Sequence, residues 1–95
     1  MRCKEEYLSA FEGIVQTIDF NTNEERWRSR YLEIDIDRTD TMRGSEFFKY
    51  EKKEQPELVY LVEVGQTIIK TARDSTFTLI LDNGEEHKFL MPNCN

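Results

Sequence analysis

Long apolar runs are missing from this chain. No window approaches the roughly 18 consecutive apolar residues a membrane helix requires, so no transmembrane segment is expected. Residues 1–10, MRCKEEYLSA, hold no apolar stretch of the kind that makes a signal peptide. The four glycines stand singly at 13, 44, 65 and 84, which leaves no glycine-rich loop to cradle a phosphate. The two cysteines, Cys3 and Cys94, form no Cys-x-x-Cys pair, and with the single histidine, His87, they fall short of a four-ligand zinc site. That histidine has Ser75, Thr76 and Glu86 near it in sequence, which is not a triad. No enzymatic activity, cofactor or metal is expected. Positive charge is scarce as well: 13 Lys and Arg against 19 Asp and Glu give a net charge of -6. Such a chain repels phosphates, so nucleic acid is an unfavoured partner.

What is present suits a small folded domain. Hydrophobic residues at 38% and aromatics at 12% are too many for a disordered acidic tail. Ninety-five residues make one domain, 1–95, with a small core. The cysteines leave three roles open: free thiols, a disulfide closing nearly the whole chain, or, at Cys3 before the polar Lys4-Glu5-Glu6, a lipid attachment of the bacterial lipoprotein kind. The disulfide requires the two termini to meet.

Lys4 to Ala10 reads as a short helix. From Phe11 to Phe20 the chain has period two, with Ile14, Gln16, Ile18 and Phe20 in one phase, and predicts a first strand. Glu25 to Asp37 predicts a second. Its apolar phase passes from Trp27, Ser29 and Tyr31 to Leu32, Ile34 and Ile36, as a β-bulge or a change of buried face would produce. Either implies a curved or closed sheet. Glu46 to Lys53, with Phe47, Phe48 and Tyr50, is a third strand. Pro56 suits the first position of a short helix over Glu57–Val62 or the start of a strand, since Val59 and Leu61 alternate, and the helix is the favoured reading. Thr67–Thr71 is extended, and Thr76–Leu81 and Glu86–Met91 flank Asp82-Asn83-Gly84 as a hairpin with a two-residue Asn-Gly turn. The expected fold is mainly β: five or six short antiparallel strands in a small OB-like barrel or roll, with one or two short helices.

The sharpest candidate site is the cluster Arg26, Trp27, Arg28, Arg30 and Tyr31. Trp, Tyr and Arg are enriched at binding hot spots, so a protein partner is the expected ligand. The same residues on a small barrel would also suit single-stranded nucleic acid. The plainer alternative is an exposed strand face whose arginines pair with neighbouring carboxylates. Glu33, Asp35, Asp37 and Asp40 form an acidic face that would suit an inhibitor or decoy of a basic protein surface. Read as a calcium loop starting at Asp35, with Glu46 in twelfth place, the stretch is spoiled by Asp40 where glycine is needed and by Arg38 and Arg43. His87, alternating with Phe89, is expected as a packed histidine. The last strand offers an edge for dimerisation, opposed by Glu85, Glu86 and Lys88; the oligomeric state stays open.

Gly13-Ile14-Val15, then Val64-Gly65-Gln66-Thr67-Ile68-Ile69-Lys70, then the hairpin Phe77–Phe89 resemble a pattern in a group of short bacterial proteins. Many of that group are exported or lipid-anchored. About two thirds of the chain is covered, with Gln66 in place of the usual Asp and EKKEQPEL as extra length. The resemblance implies an envelope or periplasmic location, against a cytoplasmic default. It implies no activity and no site residues.

Overall fold

Alternating apolar residues become strands here because a curled sheet can bury one face of each. The computed structural model describes residues 3–19, 31–40, 44–92 and 94. In chain order it has α1 (Cys3–Leu8), β1 (Phe11–Asp19), β2 (Tyr31–Arg38), β3 (Ser45–Glu51), a 3-10 turn (Lys52–Glu54), α2 (Pro56–Leu61), β4 (Thr67–Lys70), β5 (Thr76–Ile80) and β6 (Glu86–Leu90). Among the described residues the sheet has six strands in the order β3-β2-β1-β4-β5-β6, with every pairing antiparallel. Two three-stranded meanders thus share β1 and β4 as their junction, and the sheet curls into a half-barrel around one core. This is the expected mainly β roll with two short helices.

The bend is concentrated in β1. Its register with β2 shifts between Val15 and Thr17, so Gln16 is the extra residue of a bulge. Before the bulge Phe11, Gly13 and Val15 face inward; after it Ile18 does. This corrects the single phase expected for Ile14, Gln16 and Ile18, since Ile14 points outward and is 40% exposed. β2 keeps one phase, with Leu32, Ile34 and Ile36 all buried. The phase change expected around Arg30–Leu32 begins outside the described residues.

Gly13 is where β1 and β2 approach most closely. A Cβ built there would lie 2.6 Å from Ile36 Cγ2 and 2.8 Å from the Asp37 backbone oxygen. Only part of that clash can be relieved by a side-chain shift. Gly13→Ala is therefore expected to cost about 1–3 kcal/mol, as overpacking does, read as a lower urea midpoint at unchanged m-value.

Pro56 opens α2 as its composition demands, and Leu58, Val59 and the following Val62 are buried in the core. The buried Gln66 secures the end of this helix. Its Nε2 donates to Leu61 O at 3.0 Å and its Oε1 accepts from Glu63 N at 2.7 Å. The turn is tied to the bulge, because Val15 N donates to Gln66 O and Gly65 N donates to Val15 O, both at 2.9 Å. The last hairpin departs from the expected two-residue turn. Residues 81–85 connect the strands, Leu81 N donates to Glu85 O, Gly84 N donates to Leu81 O, and only Gly84 takes positive φ, at 88°. A bulged three-residue turn needs one left-handed residue rather than two.

The termini do meet. Cys3 and Cys94 form a disulfide with their Cα atoms 4.8 Å apart, which replaces the free thiols and leaves Cys3 no sulfur for a lipid thioether. Lys70, on the inner side of β4, completes the attachment of the N-terminal segment. Its buried ammonium donates to Thr71 O at 2.6 Å, Ser9 O at 3.0 Å and Tyr7 O at 3.5 Å. Burial holds this lysine below its ordinary pKa, against the pull of Asp74 and Glu6.

Candidate functional site

The outward residues of β1, β2 and β3 make a lattice fixed by register. Across the three strands run Asp19, Glu33 and Lys49; then Thr17, Asp35 and Phe47; then Ile14, Asp37 and Ser45. The sequence put Leu32, Ile34 and Ile36 in one phase, so Glu33, Asp35 and Asp37 had to share the other. They do, as a row of carboxylates along the middle strand. Thr17 Oγ1 donates to Asp35 Oδ2 at 2.8 Å. Among the described residues no ion pair neutralises Glu33, Asp35 or Asp37.

Apolar surface stands beside these charges. Phe47 is 54% exposed, because Phe48 and Tyr50 take the inward positions of β3 and period two then forces their neighbour out. Sequence reasoning counted Phe47 as strand content and missed it as surface. Its signal was present: two adjacent phenylalanines on one strand cannot both be buried by the same face. Tyr31, the first residue of β2, is half-buried, with Lys49 Nζ 4.8 Å above its ring centroid. It is the one member of the predicted cluster that can be placed. Arg26, Trp27, Arg28 and Arg30 lie outside the described residues, in the segment joining β1 to β2.

Asp35 and Asp37 project from a paired strand and so do not wrap a cation. Glu46 faces the other way and accepts from Arg38 Nη1 at 3.1 Å, while Arg38 Nη2 binds Asp40 at 2.8 Å. The calcium-loop geometry is thus absent among the described residues, and no cluster of metal-ligating side chains occurs there. His87 is half-exposed beside Glu85 Oε2 at 3.3 Å.

Where β3 meets the ends of the chain, a groove of about 560 Å³ opens. Phe47, Lys49 and Glu51 of β3 line it, together with Tyr31, Glu6 of α1, Glu54 and Pro92. Burial raises the Glu6 pKa, and the nearby Glu46 and Glu5 add to the rise while Lys70 opposes it. The inner wall is Tyr50, whose hydroxyl donates to Leu90 O on β6 at 2.6 Å. Burial, followed by the Glu6 and Glu54 charges, pushes the Tyr50 pKa well above its usual value, so this phenol keeps its proton.

No protein-family model, curated protein or solved structure matches the chain.

Proposed function

We propose that this chain is a non-enzymatic binding domain that engages a basic protein surface with the outer face of β1, β2 and β3. The observation that carries this reading is an exposed phenylalanine, Phe47, set against the carboxylate row Glu33, Asp35 and Asp37. An aromatic anchor supplies desolvated contact area, and surrounding charge selects the partner and speeds encounter. The same row weighs against single-stranded nucleic acid, since carboxylates on the strands that OB barrels use for binding would repel phosphates. The resemblance to exported bacterial proteins and the Cys3–Cys94 bond both favour an oxidising compartment.

The test must separate this face from net charge alone. Asp35→Lys and Glu57→Lys change the total charge equally, but Glu57 lies on α2. With a lysine- and leucine-containing peptide as probe, Asp35→Lys and Phe47→Ala are each expected to weaken binding about tenfold, the size of a moderate hot spot. Glu57→Lys should weaken it far less, and replacing Arg26, Arg28 and Arg30 with Ala should leave it intact. Equal losses from both charge reversals would refute the reading, as would tighter binding of a single-stranded oligonucleotide than of the peptide.

A further inference from the structure

A bulge sets two residues of one strand against one of the next. Here Gln16 and Thr17 are both exposed on β1 opposite Asp35 of β2, and a hollow of about 240 Å³ opens beside them. Gln16, Thr17, Asp35, Asp37 and Ser45 line it together with Ile36, and no basic residue is among them. Most of its hydrogen-bonding capacity is unspent. Thr17 Oγ1 donates to Asp35 Oδ2, which leaves the other carboxylate oxygen and the charge in place. The side chains of Gln16, Asp37 and Ser45 make no hydrogen bond or ion pair among the described residues. The hollow thus gathers acceptors from three strands, two of them carboxylates.

We infer that this hollow receives the guanidinium of one arginine on the partner protein. The inference rests on the face proposed above and names the side chain that face selects. At about 240 Å³ the hollow is smaller than the pockets that enclose whole small molecules, roughly 300–1,000 Å³, and suits a side-chain head group. An ammonium brings three donors and holds its water strongly. A guanidinium brings five donors in a planar fork and is more weakly hydrated, so it can meet the Gln16 amide oxygen and both carboxylates at once. Phe47 pairs with Asp35 across β2 and β3, so an apolar residue flanking the arginine would find that ring beside it. A second copy of this chain is the wrong occupant, because two molecules of net charge -6 repel.

The probe is the lysine- and leucine-containing peptide described above, with its lysines replaced in turn by arginine and by citrulline, the uncharged isostere of arginine. Calorimetry reads the affinities. The arginine peptide should bind about fivefold tighter than the lysine peptide and about tenfold or more tighter than the citrulline peptide, as charge-assisted hydrogen bonds require. Gln16→Ala alters no charge and should cost the arginine peptide about threefold, one net hydrogen bond, while leaving the lysine peptide unaffected. Asp37→Asn should erase the preference for arginine, and circular dichroism confirms that both exposed substitutions keep the fold. Equal binding of the arginine and lysine peptides would overturn the inference and leave the face reading standing. If no peptide binds, the face reading fails with it. Tighter arginine-peptide binding once Arg26, Arg28 and Arg30 are replaced by Ala would make this chain's own arginine the occupant and would also overturn the inference.

Discussion

Reduction of the Cys3–Cys94 bond is expected to lower the unfolding free energy by about 4–5 kcal/mol. The cross-link spans 91 positions of the chain, so it removes nearly the largest loop entropy available to an unfolded polypeptide of this length. A domain of this size has a total stability on the order of 5–14 kcal/mol, so the loss is a large share of it. In a thermal melt it corresponds to a fall of roughly 20 °C or more. The folded state itself should change little on reduction. Arg73 N and Asp74 N still donate to Tyr7 O, at 2.7 and 3.2 Å, and Lys70 still holds the Ser9 and Thr71 carbonyls, so the N-terminal segment keeps its seat without the bond. Melts with and without a phosphine reductant test this directly. The Cys3→Ser/Cys94→Ser variant should match the reduced protein and ignore the reductant. A difference under about 1 kcal/mol would mean that the unfolded chain is already compact enough to hold its ends together.

How much of this was legible depended on the range of the interaction concerned. The hairpin of Phe77, Leu79 and Phe89 and the helix at Pro56 were readable because alternation and a fixed proline φ are local properties. The carboxylate row of β2 was readable for the same reason. The inward face of β1 was not, because Ile14 and Val15 are both good strand residues and only the bulge at Gln16, set by pairing with β2, decides between them. Asn83-Gly84 signalled a turn correctly but not its length, which the Leu81–Glu85 bond determines. The disulfide needed the termini brought together by the whole sheet, and no spacing could announce it. Phe47 lay within reach of sequence logic, since Phe48 and Tyr50 share a phase. The groove did not, because it combines α1, β3 and the residues after β6.

Phe48→Ala is expected to cost about 3–5 kcal/mol, the range for deleting a buried phenylalanine. The Phe48 ring joins the two meanders inside the core. It meets Phe11 of β1 at 6.0 Å, Tyr50 of β3 at 6.4 Å and Phe77 of β5 at 5.1 Å, and Phe77 passes the contact on to Phe89 of β6 at 5.9 Å. The first two are edge-on arrangements that add to simple area burial. Removing the ring leaves a cavity in the middle of that chain, and a curled sheet pinned at β1 by Gly13 and the Gln16 bulge has little freedom to collapse into it. Phe48→Leu retains most of the volume and should lose much less. Urea unfolding of both variants gives the comparison, and similar losses for the two would mean that the core repacks around either residue. The disulfide acts mainly on the unfolded chain and the aromatic cluster on the folded one, so their effects should add. Their sum, roughly 7–10 kcal/mol, is comparable to the whole stability expected of the domain. Oxidised Phe48→Ala should therefore fold, and the same variant under reductant should be largely unfolded at 25 °C, with loss of the β-sheet circular dichroism as the readout.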